Sequence, residues 1–280
     1  MLTVTANGAE IPAIGLGTWR LTGEACIRSV HAALAAGCRH IDTASMYGNE
    51  AEVGEAIRGQ PVPRADIFVT TKVWYSDAAD GRLQRSAENS LKRLGLDCID
   101  LLLIHWPNTS LPVEAQVRAL CDARRRGLAR HIGVSNFPVR ELEAAIAAAD
   151  APLVANQVEY HPYLDQSAVL SACRRHGLAL VAYLPLAEGK VAHDPVLQDI
   201  ARAKGRDAAQ VALRWLVQQP GVAAIPGSSN PQHLRANMAL EDFELTPEEM
   251  ARIGTLARPD GRLLDPGWAP QWDTSGMRQS

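Results

Sequence analysis

The sequence predicts an α/β fold, a single (β/α)8 barrel domain spanning residues 1–280. Three observations lead there. An amphipathic helix, a glycine and a short apolar strand recur along the chain. The strands are apolar without alternation, as in a parallel sheet covered on both faces by helices. No low-complexity or Pro/Ser-rich linker interrupts the series. Candidate strands lie at 14–17, 40–42, 67–71, 99–104, 131–134, 154–158, 178–182 and 222–225. Their spacing is that of β-α units, and eight units in 280 residues match the roughly 250 residues of a closed barrel. The alternative, an open doubly wound sheet, would want G-x-G-x-x-G after its first strand. That stretch reads Gly15-Leu16-Gly17-Thr18-Trp19-Arg20, without the third glycine.

The elements follow in order. Leu2-Thr3-Val4-Thr5 and Glu10-Ile11-Pro12 flank Asn7-Gly8, a strong hairpin turn pair, so a hairpin is expected over the barrel floor. Glu24 to Ala36 carries Ile27, Val30 and Leu34 at helical spacing, then Gly37. The same order recurs in Leu83, Leu91 and Leu94 before Gly95, and in Val113, Val117 and Leu120 before Gly127. It recurs again in Leu170 and Cys173 before Gly177, and in Leu213, Leu216 and Val217 before Gly221. A glycine there can take positive φ and end the helix. After a last helix near 247–256 comes a tail with Leu263, Leu264, Trp268 and Trp272, whose two indoles predict packing over the barrel mouth.

Composition narrows the function. A net charge of −3 offers no basic footprint for nucleic acid or an anionic membrane. No apolar run approaches the roughly 18 residues of a spanning helix, and Met1-Leu2-Thr3-Val4 does not open a secretory leader. The five Cys, at 26, 38, 98, 121 and 173, form no C-x-x-C pair, which reads as free thiols in a reducing cytoplasm. No H-x-x-x-H pair occurs, so no helix-borne zinc site is expected. No added interface element is visible, and a monomer is expected.

In a barrel, chemistry sits at the carboxyl ends of the strands. The polar residues there are Asp42 with Tyr47 in the following loop, Lys72, His105, Ser135 and Asn136, Asn156 and Gln157, Tyr183, and Ser228. Taken singly, each has a structural reading: a cap, a packed Tyr, an ion-paired Lys, a core His, a buried amide. Lys72 stands out because only four of the 28 basic residues are Lys. Taken together, Asp42, Tyr47, Lys72 and His105 project from three successive strands toward one mouth. A phenol is a weak acid, a neighbouring ammonium favours phenolate, and a carboxylate holds the ammonium in place. A histidine N–H can orient and polarise a carbonyl. This is a set for proton transfer to a carbonyl oxygen.

Ile41-Asp42-Thr43-Ala44-Ser45-Met46-Tyr47-Gly48-Asn49-Glu50 resembles the Asp-Thr-Ala-x-x-Tyr-x-Asn-Glu signature of the aldo-keto reductase family. Leu16-Gly17-Thr18-Trp19, Thr71-Lys72-Val73-Trp74, Leu103-Ile104-His105-Trp106-Pro107 and Ile132-Gly133-Val134-Ser135-Asn136-Phe137 resemble further motifs of that family. So do Asn156-Gln157-Val158-Glu159-Tyr160-His161-Pro162 and Ala182-Tyr183-Leu184-Pro185-Leu186. The length and the tail through Trp268-Ala269-Pro270-Gln271-Trp272-Asp273 resemble the bacterial 2,5-diketo-D-gluconate reductase branch.

The resemblance implies a TIM barrel reducing aldehydes and ketones with NADPH or NADH. Tyr47 would be the general acid, tuned by Lys72 and Asp42, with His105 placing the carbonyl. Ser135, Asn136 and Gln157 would hold the nicotinamide carboxamide and Tyr183 would stack on the ring. Gly17, Thr18, Trp19, Asp42, Pro185, Leu186, Ile225, Pro226, Gly227, Ser228, His233 and Asn237 complete the implied cofactor set. Trp19, Trp74 and Trp106, with Tyr47 and His105, form the implied substrate pocket. Two departures stand out. The family pattern Ile-Pro-Lys-Ser, with Arg six residues after the Lys, grips the adenosine 2′-phosphate. Here Gly227 replaces the Lys and His233 the Arg, so dual use of NADH and NADPH is expected. Leu184 stands where Ser is usual. Competing readings are a Schiff-base aldolase acting through Lys72 and a non-catalytic subunit that senses a nicotinamide nucleotide. Substrate candidates are small oxo compounds: methylglyoxal, 2,5-diketo-D-gluconate, β-keto esters and aromatic aldehydes.

Overall fold

The computed structural model describes residues 2–273. It opens with an antiparallel hairpin, β1 (Thr3–Ala6) and β2 (Ala9–Pro12), turning at Asn7-Gly8. Eight strands follow in one sheet, each parallel to its neighbour in chain order: β3 (Leu16–Gly17), β4 (His40–Asp42), β5 (Phe68–Val73), β6 (Ile99–Ile104), β7 (Ala129–Ser135), β8 (Leu153–Glu159), β9 (Ala179–Tyr183) and β10 (Val222–Ala224). A parallel bridge between Ile14 and Ala224 joins the last strand to the first. Gly15 N–H donates to Ala224 O at 2.9 Å, and Ala224 N–H to Ala13 O at 2.8 Å. The sheet is therefore a closed barrel, as expected.

Helices α1 (Gly23–Ala35), α2 (Glu50–Arg58), α3 (Arg82–Leu94), α4 (Val113–Arg125), α5 (Val139–Ala148) and α6 (Ser167–Arg175) connect successive strands up to β9. Between β9 and β10 lie α7 (Pro195–Lys204) and α8 (Ala208–Val217); α9 (Pro231–Met238) and α10 (Pro247–Gly254) follow the last strand. Gly95 and Gly127 close α3 and α4 with φ of 64° and 75°, conformations that cost an L side chain. Strand limits move by one or two residues from the sequence reading. Lys72 lies inside β5, which runs on to Val73, because the β5–β6 pairing extends through Val73 and Ile104.

The period of two along each strand decides what faces the axis. On β6, Leu101 and Leu103 pack inward with Ala9 and Ile11 of the hairpin, while Leu102 and Ile104 pack outward against the helical layer. The hairpin thus seals the floor. Truncating Leu103 to Ala would cost about 2–5 kcal/mol, the range for a buried leucine. The alternation that puts Leu103 inside also aims His105, two residues on, at the open mouth.

Candidate active site

The inward phase collects the polar residues. His40 and Asp42 of β4, Thr70 and Lys72 of β5, Ser135 of β7, Gln157 of β8 and Tyr183 of β9 fall on it. Asp42 is paired in register with Thr70, and Ser135 with Gln157. Asp42 and Lys72 are 1% and 0% exposed. A buried charge must be paired and hydrogen-bonded, and this one is. Lys72 Nζ donates to Asp42 Oδ1 at 2.5 Å, to Thr43 O at 2.9 Å and to Tyr47 Oη at 3.4 Å. All three ammonium protons are engaged. Asp42 Oδ2 accepts from Gln157 Nε2 at 2.7 Å.

Tyr47 ends a 3-10 turn, Ser45–Tyr47, after β4, with its ring edge-on to His105 at 5.6 Å. Burial raises its pKa above the ordinary phenol value. The Lys72 ammonium pulls it back only in part, and the net direction is up. The lysine therefore moderates the acidity lost to burial; it does not bring the phenol below its free value. Burial would lower the Lys72 pKa, but Asp42 and then Tyr47 more than offset this, so the ammonium stays charged. His105 is held well below the usual histidine value by burial and then by the Lys72 charge. Its ring is neutral, and its Nδ1 is buried without a partner among the described residues.

A second set adjoins the first. Asn136 has φ of 62°, a left-handed conformation that Asn tolerates. Its Nδ2 donates to His105 O at 3.0 Å, and its Oδ1 accepts from Tyr183 Oη at 2.7 Å. Ser135 Oγ donates to Gln157 O at 2.8 Å. Asn156, one residue out of phase, turns to the helical layer and donates to Phe137 O at 2.8 Å.

Over these residues opens a cleft of about 1040 Å³. Asp42, Tyr47, His105, Asn136, Gln157 and Tyr183 line its floor, with Trp19, Trp74 and Trp106 at one end. Gly17, Pro185, Leu186, Ile225, Pro226, Gly227, Ser228 and His233 line the other. A second cavity of about 670 Å³ continues past Leu186, Gly227, Ser228 and His233 and reaches Asn237. Thr18 and Ser135 lie beneath the lining, Thr18 Oγ1 donating to Asp42 O at 3.0 Å. A Cβ on Gly17 would stand 2.7 Å from Ile225 O, and one on Gly227 would stand 3.1 Å from Gly17 O. The groove floor is thus bare backbone at the closing seam. Two joined lobes, a bare backbone seam and amide-bearing side chains at one end fit an extended dinucleotide.

Several lining residues escaped the sequence reading. Met46 and Leu21 border the mouth. Arg20 Nη1 meets Glu188 Oε1 at 3.1 Å, spanning from the loop after β3 to the loop after β9. Both residues hold positive φ, as does Leu184, at 48°, and no hydrophobic period announces them. The tail does cover the mouth. Leu264, Pro266 and Trp268 line the cleft, and Trp268 packs 5.6 Å from Trp74, 4.9 Å from Tyr75 and 5.1 Å from Trp106.

Comparison with known proteins places this geometry. The model of the aldo/keto reductase family matches residues 13–258. A methylglyoxal reductase DkgB of Escherichia coli O157:H7 is 42% identical over 94% of this chain and 99% of its own. An aldo-keto reductase of Mycolicibacterium smegmatis is 42% identical over 92% of this chain and 93% of its own. A crystal structure provisionally assigned as a 2,5-diketo-D-gluconic acid reductase B superposes with a TM-score of 0.95 at 49% identity, covering 98% of both chains. An aldose reductase from Schistosoma japonicum does so at 0.88 and 30%, covering 93% of this chain and 94% of its own. No helix among the described residues is long and apolar enough to cross a membrane. The chain belongs to the aldo/keto reductase family, the NAD(P)H-dependent oxidoreductases that act on small carbonyl compounds.

Proposed function

We propose that this chain reduces small aldehydes and ketones to alcohols, with Tyr47 as proton donor and either NADH or NADPH as reductant. The observation that carries the reading is the Lys72 ammonium, bound at once to Asp42 Oδ1 and Tyr47 Oη. Tyr47 Oη accepts from the lysine, so its own proton is free to point into the cleft. A carbonyl oxygen held there takes that proton as negative charge builds on it. Lys72 stabilises the phenolate left behind, and Asp42 with Thr43 O keeps the ammonium fixed. Neutral His105 borders the same space and orients the carbonyl through a ring N–H.

A reduced nicotinamide supplies the hydride when bound. Asn136 and Gln157 would hold its carboxamide, with Ser135 fixing Gln157 from below, and Tyr183 would offer its ring face. The hydrogen bond from Gln157 to Asp42 ties that grip to the catalytic network. Pro185, Leu186, Ile225, Pro226, Gly227 and Ser228 would carry the middle of the dinucleotide, and His233 and Asn237 its adenosine end. Trp19, Trp74 and Trp106 would wall the substrate. The chain supplies no obvious pair of fixed cations for a 2′-phosphate at 227 and 233, which supports dual cofactor use.

The Schiff-base aldolase loses support from the same geometry. An amine nucleophile needs a lone pair and access, and Lys72 is fully buried, charged and triply hydrogen-bonded. The test is a kinetic panel of methylglyoxal, 2,5-diketo-D-gluconate, a β-keto ester and an aromatic aldehyde with each cofactor. Turnover of none, with borohydride trapping a substrate on Lys72, would overturn the reading. Nucleotide binding without turnover would favour a sensing subunit.

A further inference from the structure

Glu159 ends β8 two residues beyond Gln157, in the same inward phase, yet it lies outside the cleft lining. Its side chain is 0% exposed. A buried carboxylate without partners would be costly. Its partners come from the tail: Oε1 accepts from Leu263 N–H at 2.6 Å and Oε2 from Leu264 N–H at 2.9 Å. His161 Nδ1 accepts from Tyr163 N–H at 3.3 Å, which leaves Nε2–H to donate to Glu159 Oε1 at 2.9 Å. Charge-assisted bonds of this kind are short and roughly twice as strong as neutral ones.

The chain approaches this point by a built path. Arg258 N–H donates to Tyr163 O at 3.0 Å, and a Cβ on Gly261 would fall 1.7 Å from that same oxygen. Beyond it, Val139 N–H donates to Asp273 Oδ2 at 3.0 Å, and Trp272 Nε1 to Asp265 Oδ1 at 2.8 Å. Between these anchors Trp268 sits among Trp74, Tyr75 and Trp106, four residues after Leu264. Trp74 in turn stands 5.2 Å edge-on to His105. The tail indole therefore forms the outer wall of an aromatic box whose inner wall is the catalytic histidine.

We propose that Glu159 is a positioning residue that sets selectivity for aryl-bearing carbonyls by fixing the tail register and, through it, Trp268. This deepens the carbonyl-reductase reading and rests on it. A planar aryl group entering beside His105 meets ring faces and edges on Trp74, Trp106 and Trp268, contacts that a methyl group in its place cannot reach. Arg20, the one Lys or Arg among the described lining residues, is turned to Glu188 and stacked on Trp19 at 4.0 Å. The box is suited to a neutral aromatic group.

The test compares 1-phenyl-1,2-propanedione with 2,3-butanedione, which differ by phenyl for methyl beside the same diketone. Glu159→Gln keeps the volume but removes the charge and one acceptor. It should speed hydrogen exchange at the Leu263 and Leu264 amides in the holoenzyme. It should raise KM for the phenyl diketone about tenfold at nearly constant kcat, the pattern of lost uniform binding, and lower phenyl-over-methyl selectivity in kcat/KM to match. Trp268→Ala should reproduce that loss, and the double variant should add nothing, since both act through one contact. Equal losses on both diketones, unchanged selectivity despite released amides, or additive losses would overturn the proposal. Should Glu159→Gln fail to fold, unchanged selectivity in Trp268→Ala overturns it as well. A wild-type enzyme that reduces neither diketone but does reduce other members of the kinetic panel overturns the proposal alone, and one that reduces no carbonyl of either set overturns the carbonyl-reductase reading, whatever the variants do.

Discussion

The two ends of the cleft are built on different principles. At the end proposed for the substrate, Asp42, Lys72 and Gln157 stand on strands, are almost wholly buried and satisfy one another in a chain of hydrogen bonds. At the end proposed for adenosine, Gly227 and His233 stand on an exposed loop and the first turn of α9. Ser228 Oγ there accepts from Asn230 N–H at 3.1 Å. A change at the first end leaves a buried group unpaired and spreads along the chain. A change at the second alters charge while the fold stays as it is. Coupled residues give non-additive effects, and separated ones give additive effects. The comparison breaks if substitutions at the two ends prove equally contained.

The largest expected effect is that of Tyr47→Phe. It removes the proton donor and leaves Asn136, Gln157 and Tyr183 in place. General acid catalysis contributes about 10²–10⁴-fold, so kcat for reduction should fall by that factor while cofactor Kd stays within about twofold. Retention of more than about a tenth of wild-type kcat, against that scale, would show that another group donates the proton.

Lys72→Met and Asp42→Asn sharpen the picture because their effects on Tyr47 have opposite signs. The Lys72 charge lowers the Tyr47 pKa and the Asp42 charge raises it. In the alcohol-oxidation direction, phenolate is the active base. The ascending, acidic limb of kcat/KM should therefore move to higher pH in Lys72→Met and to lower pH in Asp42→Asn. Lys72→Met also leaves the Asp42 carboxylate buried without its cation, which costs about 3–5 kcal/mol and should appear as a lowered Tm. Limbs that move in the same direction would mean that Tyr47 is not the titrating group.

What the sequence revealed follows the same division. The polar cluster of the cleft floor was legible because strand period and barrel geometry jointly aim Asp42, Lys72, His105, Gln157 and Tyr183 at one mouth. Helices α2 and α7 were not read, since Glu50–Arg58 and Pro195–Lys204 are short and their apolar stripes sparse. The Trp268 wall was expected in outline, from two indoles that needed a place. Its anchor was not: Glu159 reads as one more residue of a strand motif, and its partners are backbone amides of a tail that leaves no side-chain pattern. Arg20 and Glu188 were invisible for a related reason, being loop residues brought together by positive φ. The pull of Lys72 on the Tyr47 pKa was legible and the net rise was not, because charge can be read from residue types, whereas the burial that outweighs it cannot.

The smallest expected effect lies at the end proposed for adenosine and concerns the 2′-phosphate that distinguishes NADPH from NADH. An exposed cation–phosphate contact with good hydrogen bonds is worth ~1.5–3 kcal/mol. Without fixed cations at 227 and 233, NADPH should bind no more than modestly better or worse than NADH. Gly227→Lys with His233→Arg should tighten NADPH relative to NADH by roughly one to two powers of ten, since ~1.4 kcal/mol is tenfold. Any loss of Tm should come from position 227, where a Cβ would stand 3.1 Å from Gly17 O and the backbone must give slightly, whereas exposed His233 accepts Arg freely. Cofactor Kd by quenching of Trp fluorescence measures both preferences. A wild-type preference for NADPH beyond about a hundredfold would place the phosphate on other residues, with Arg202 and Arg206 of the second cavity the next to substitute.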